Sequence, residues 1–205
     1  MKKAFFNDRY QQTDAVIEGR KTRATQIMAG IDFPVNMVMG RVLPDKEGKI
    51  YAVANGENII VKLRYKVGEV VAVAQSYEQI GANPQHYISR PDIDGYQIIS
   101  MCPGWRNKMF VRAELMPHQI RITGIRCERL QDISDEDCMK EGVVAMADFK
   151  TRGCSRKLFA LPRCEYAQIF NTPRQAFAAL IDKVSGRGTW DRNPWVAVYE
   201  FELVK

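Results

Sequence analysis

Between Gln119 and Leu130 the apolar residues alternate in two phases: Ile120 and Ile122 set one, Ile125 and Cys127 the other, and the slip falls at Gly124. A one-residue slip at glycine marks a β-bulge, a device by which a long strand bends and a small sheet curls toward a barrel. The last stretch, Trp195–Val204, repeats the signal of a long strand. Trp195, Ala197, Tyr199, Phe201 and Leu203 share one face, while Glu200 and Glu202 share the other with Val196 and Val198.

Three helices interrupt the strands. The first opens at Asn7 or Asp8 as N-cap, carries Tyr10, Thr13 or Asp14, Val16 and Ile17 at helical spacing, and ends at Gly19. The second starts at Ser134, with Ile133 before the cap and Asp137 at N3, and runs Asp135–Glu141 to Gly142. The third has Thr172 as N-cap, Pro173 at N1 and Gln175 at N3; Ala176, Phe177, Leu180, Ile181 and Val184 form its stripe, and Gly186 closes it.

Ala4–Phe6, Lys49–Val53, Ile59–Leu63, Val70–Ala74 and Lys108–Glu114 read as further strands, the fourth of them buried. The strands are spaced too irregularly for a βαβ sheet. The expectation is one α+β domain over 1–205: a small, mixed, mostly antiparallel β-barrel with flanking helices, and with long loop insertions near 81–107 and 143–171.

The chain's 205 residues suffice for such a domain. No apolar run approaches the ~18 residues of a membrane span, and the N-terminus lacks the apolar run of a signal peptide. The five cysteines include no C-x-x-C pair and only two histidines accompany them, so no metal and no cofactor is expected. Reduced thiols suit the cytoplasm. A net charge of +6 suits a polyanionic partner. No nucleophile triad, glycine-rich phosphate loop or metalloprotease pattern is present.

Several segments together resemble the ASCH family. Gly19-Arg20-Lys21-Thr22 after the first helix looks like the start of its signature. Ile125 to Asp137, ending in Glu141-Gly142, is similar to the strand-then-helix core of phage-associated members. Tyr65-Lys66-Val67-Gly68-Glu69 resembles the turn into a barrel strand, and Phe177 to Ile181, Trp190 and Asn193-Pro194-Trp195 through Phe201 resemble the tail. The resemblance implies a PUA-like β-barrel with a cleft between barrel and helices. It also implies a protein that binds RNA, single-stranded or structured, or a modified nucleoside. Some small bacterial members hydrolyse the acetyl amide of N4-acetylcytidine with a lysine, a threonine and a glutamate. Carried over, the lysine is Lys21 and the glutamate Glu141; the threonine position holds Ala24, with Thr25 beside it, and the signature arginine position holds Gln26. Binding is therefore preferred to amide hydrolysis; a phage interaction protein without a small ligand is the third reading.

Lys21 can serve as a base or nucleophile activator, or hold a phosphate as an ammonium. Glu141 can pair with it across the cleft. Arg20, Lys21, Thr22, Arg23, Arg106, Lys108 and Arg112, with the Trp105 ring, form the mixed basic–aromatic pattern of single-strand binders. A second such segment, 150–163, carries Lys150, Arg152, Arg156, Lys157 and Arg163.

Overall fold

A computed structural model describes residues 1–28, 39–44, 50–54, 59–81, 103–146, 149–151, 154–161 and 168–205. Its elements are β1 (Lys3–Ala4), α1 (Gln12–Ile17), β2 (Arg23–Ile27), β3 (Met39–Pro44), β4 (Ile50–Ala54), β5 (Ile59–Lys62), β6 (Val70–Val73), α2 (Tyr77–Ile80), β7 (Gln119–Arg129), α3 (Asp135–Lys140), β8 (Val144–Ala145), β9 (Phe149–Thr151), β10 (Cys154–Arg156), β11 (Phe159–Ala160), β12 (Ile169–Phe170), α4 (Pro173–Ser185), α5 (Thr189–Arg192) and β13 (Trp195–Leu203). The class is α+β. The main sheet runs β1-β6-β7-β13-β2 and is antiparallel except where β1 lies parallel to β6. β3, β4 and β5 form an antiparallel meander, and β12-β11-β8 and β10-β9 make two small sheets.

Among the described residues the main sheet is an open ladder: β1 and β2 are its edges, and no pairing joins them. The bulge read at Gly124 is present. Glu200 of β13 faces Gly124 and Phe201 faces Ile122, so Thr123 is the extra residue and the register shifts there. Placing both strands in the middle of the sheet explains their composition. On one face of β13, Ala197, Tyr199 and Phe201 join Phe6, Val71, Val73, Ile120 and Ile122 in a first core. On the other, Val196 and Val198 meet Leu130, Ile133, Phe177 and Leu180 in a second. A strand covered on both faces has apolar residues in both phases.

The helix caps follow the sequence. Ser134 accepts a hydrogen bond from the Asp137 N–H, and Thr172 accepts one from Gln175. The first helical segment is broken in two, however. Asn7 caps a 3₁₀ turn over Asp8–Tyr10, Gln11 takes a left-handed conformation (φ 49°), and α1 begins after it. The first strand is also shorter than Ala4–Phe6.

The strand expected over Lys108–Glu114 is corrected: the segment holds two 3₁₀ turns, Lys108–Phe110 and Ala113–Leu115. The Asn107 side chain caps the first by accepting from Met109 N–H. The ammonium of Lys3 donates to the carbonyls of Lys108, Met109 and Val111 at 3.2, 2.8 and 2.8 Å. Carbonyls of consecutive strand residues point to opposite sides, so one cation cannot collect them in extended backbone. Residues 82–102 of the first expected insertion, and 147–148, 152–153 and 162–167 of the second, lie outside the described residues, Arg152 and Arg163 with them.

Candidate functional site

The site forms where α1 turns into β2. Gly19, with φ 73°, ends the helix in the left-handed region that glycine alone enters freely. The chain then reverses: Lys21 N–H donates to Ala15 O at 2.8 Å and Thr22 N–H to Lys140 O at 3.1 Å, which docks the turn on the end of α3. β2 begins at Arg23 and pairs with β13, Arg23 opposite Glu200 and Thr25 opposite Val198. Lys21, Arg23 and Thr25 have the same parity. Alternation places them on one face, and that face looks at Glu141.

Glu141 is the C-cap of α3, held where Gly142 takes φ 100° to leave the helix. Lys21 Nζ donates to Glu141 Oε2 at 2.6 Å and to the Glu141 carbonyl at 2.8 Å. The Thr25 hydroxyl donates to Glu141 Oε1. Lys21 is 2 % exposed and Glu141 3 %. An ammonium has three donors. Among the described residues two are engaged, both by Glu141. Behind Glu141 stands Arg23, 1 % exposed. Its two terminal nitrogens donate to Asp137 and Glu128, and its Nε lies 3.4 Å from Glu141 Oε1 without a hydrogen bond.

Lys21, Thr25 and Glu141 line a cleft lobe of about 180 Å³ whose other wall is α4, through Phe177, Leu180 and Ile181. A second lobe, about 260 Å³, adjoins it and shares Phe5, Phe6, Ala24, Thr25 and Ser185 with the first; Arg64, Tyr65 and Tyr199 line its far side. Each lobe alone falls below the ~300 Å³ at which small-ligand pockets begin.

The structure thus brings Lys21 and Glu141 together across 120 residues of chain. Ala24 and Gln26, the two departures from the ASCH pattern, also line the cleft: Ala24 both lobes, Gln26 the second. The hydroxyl beside Glu141 comes from Thr25. Counting to the family position pointed to Ala24; it is the strand over Arg23–Ile27 that gives Thr25 the parity of Lys21 and Arg23 and turns it to Glu141.

The expected basic–aromatic binding surface is dispersed. None of Arg20, Thr22, Arg23, Trp105, Arg106, Lys108 and Arg112 lines either lobe. Arg20 pairs with Glu18 at 2.6 Å. Lys108 pairs with Asp8 at 2.8 Å and donates to Phe6 O, which ties down the Phe5–Asn7 wall of the cleft. Trp105 packs beside Tyr77, Val111 and Met116. Arg106 is exposed near Glu78, and Arg112 is exposed on the turn before Ala113. Sequence reasoning missed Arg64, because its place at the second lobe depends on the contact of β5's exit with the N-terminal strand.

Among the described residues no group of His, Cys, Asp and Glu is placed to hold a metal ion, and no helix is long and apolar enough to cross a membrane. Burial pushes the Cys127 thiol up to about 11 and the Cys138 thiol up to about 12, which keeps both protonated at neutral pH. Comparison of the chain with family models, with curated proteins and with solved structures finds no match.

Proposed function

We propose that this chain is an ASCH-type protein with a PUA-like core, and that its cleft binds a nucleoside-like ligand through Lys21 and Glu141. The observation that carries the reading is the buried Lys21–Glu141–Thr25 constellation in the wall of an open lobe. Burying an ion pair costs several kcal/mol of desolvation per ion, and apolar residues of the same volume often stabilise a fold as well or better. A pair retained under that cost, and lining a cleft, suits recognition of a ligand that offers both a donor and an acceptor. The Watson–Crick edge of a pyrimidine does so. The Lys21 ammonium meets a ring carbonyl, and the Glu141–Thr25 end meets an exocyclic amine or amide.

A small ligand is favoured over a long RNA strand by the state of the cations. Polymer binding needs arginines and lysines available to phosphates. Arg20, Arg23 and Lys108 are instead engaged by carboxylates.

One observation favours a second reading, hydrolysis of an acylated nucleobase: the Thr25 hydroxyl donates to the Glu141 carboxylate. In that geometry Glu141 accepts the proton of the hydroxyl, or of a water in its place, as the oxygen attacks the amide carbon. Lys21 donates to the developing oxyanion. The C–N bond breaks and the leaving amine takes up the proton: attack by water gives the carboxylic acid and the free base directly, whereas attack by Thr25 gives the free base and a threonyl ester, which a water then hydrolyses to the acid, restoring the hydroxyl.

The test is calorimetric titration of the full chain with cytidine, N4-acetylcytidine and single-stranded RNA, followed by chromatography of the N4-acetylcytidine mixture. Nucleoside binding that is lost in Lys21→Ala is the expected result. No nucleoside binding, with salt-dependent RNA binding unchanged by Lys21→Ala, overturns it. Turnover that disappears in Thr25→Ala establishes the hydrolase.

A further inference from the structure

We propose that the second lobe of the cleft is an anion subsite, with Arg64 as its counter-charge, and that the preferred ligand is therefore a nucleoside monophosphate rather than a nucleoside. The inference rests on the reading of the first lobe as the base site, and extends it to the part of the ligand that leaves that lobe.

Arg64 differs from the other arginines of the site region. Arg20, Arg23 and Arg126 each contact a carboxylate within 4 Å. Among the described residues no carboxylate pairs with Arg64, and no aspartate or glutamate lines the second lobe. Arg64 is the one charged side chain among the described residues lining it. Arg64 is exposed to solvent at the rim of the lobe, and a cation without a counter-ion attracts an anion more strongly than one already paired with a carboxylate.

The side chain is also held. Its guanidinium carbon lies 5.9 Å from the centre of the Phe5 ring and 5.4 Å from that of Tyr65, both within cation–π range. Its backbone is anchored on both sides: Arg64 N–H donates to the Tyr199 hydroxyl at 2.9 Å, and Lys2 Nζ donates to Arg64 O at 2.7 Å. Such placement lowers the ordering cost of binding. Burial pushes the Tyr65 and Tyr199 phenols up, so both stay neutral and neither repels a phosphate.

The path between the lobes fits the same ligand. Phe5 is exposed and borders both. A pyrimidine that presents its polar edge to Lys21 and Glu141 can lie against this ring, with its ribose passing Thr25 and Ser185 toward Arg64. Arginine meets phosphate through two parallel N–H donors, which a lysine there would not reproduce.

The experiment is titration of the full chain and of Arg64→Gln and Arg64→Lys with cytidine and cytidine 5′-monophosphate, each at two salt concentrations. For the wild type the monophosphate is expected to bind about tenfold tighter, as one charge-assisted contact provides, and the ratio to fall at higher salt. In Arg64→Gln the ratio falls to near one, and in Arg64→Lys it lies between. Equal wild-type affinities, or a ratio that survives Arg64→Gln, overturn the anion subsite while measurable cytidine binding leaves the base site standing. Failure of both ligands to bind overturns the base site and the subsite together.

Discussion

Asp137, in the first turn of α3, and Glu141, at its C-cap, stand one turn apart, and both face the guanidinium of Arg23, yet their surroundings differ. Asp137 belongs to an outer network: Arg23, Arg126 at 2.7 Å and Lys140 at 3.0 Å hold it, and Arg126 continues to Glu128 and Glu200. Its side chain keeps about a sixth of its surface in water, and that of Arg126 more than a third. Glu141 is buried, meets Lys21 and Thr25, and borders the cleft. Outward, charges tie β7, β13 and α3 together where water bears part of their solvation. Inward, the same chemistry sits where solvation is lost and a ligand can enter. Arg23 is the hinge between the two, its guanidinium paired with Glu128 and Asp137 and beside Glu141.

The largest expected effect comes from removing that hinge. Arg23→Ala leaves Glu128, Asp137 and Glu141 facing one another without the central cation. Breaking a buried pair from one side typically costs about 3–5 kcal/mol. Urea unfolding measures it; a loss under ~1 kcal/mol would mean that the two networks stand independently. Arg23→Lys keeps the charge but not the fork, and is expected to recover only part of the loss.

The inner pair gives the next effect, and it separates stability from function. Lys21→Met alone strands Glu141 and is expected to destabilise by about 2–3 kcal/mol, softened by Arg23 behind it. Lys21→Met with Glu141→Leu removes both charges, and stability should return to within ~1 kcal/mol of wild type. Ligand affinity should stay depressed in both, by roughly ten- to a hundredfold for a lost charged hydrogen bond. A double variant as unstable as the single one would show that the pair is kept for the fold.

The inner pair was legible in sequence through a family resemblance, whereas the outer network depends on which strands the sheet sets side by side. The bulge at Gly124, the caps at Ser134 and Thr172 and the alternation of the last strand are local, and each is written within about a dozen residues. Lys21 and Glu141 were singled out together only through the ASCH resemblance; nothing in spacing joins residues so far apart. Thr25 was within reach, because parity with Lys21 was visible once β2 was known to be a strand. The outer network was hidden: Arg23 and Arg126 look like solvated cations until the sheet sets Glu128 and Glu200 beside them. Lys108–Glu114 misled for the same reason, since the Lys3 ammonium that gathers its carbonyls lies over a hundred residues away. Closure of a barrel depends on pairings beyond any local pattern.

Acid distinguishes the networks more gently. Burial raises the Asp137 carboxyl, but the Lys140 hydrogen bond and the charges of Arg23, Lys140 and Arg126 outweigh it and hold the group below its ordinary value. A carboxyl depressed on folding contributes stability that is complete above its unfolded value, about 3.9, and is lost as pH falls through the folded value. Urea midpoints measured from pH 7 to pH 2.5 should therefore fall less steeply below about pH 4 in Asp137→Asn than in the wild type. Equal slopes would remove Asp137 from the account of acid stability.

The smallest effect belongs to Arg126. It makes three ion pairs, with Glu128, Asp137 and Glu200. On a count of contacts it would rank beside Arg23. Its exposure argues otherwise: water solvates the guanidinium before and after the contacts form, and salt screens them. Arg126→Ala is expected to cost less than about 1 kcal/mol, and the difference should shrink further in 0.5–1 M salt. Arg23→Ala should keep most of its cost there, because its partners are shielded. If instead the two variants lose similar stability with similar salt dependence, burial is not what divides the inner charges from the outer ones. The case for a cleft-side role of Lys21 and Glu141 would then rest on ligand binding alone.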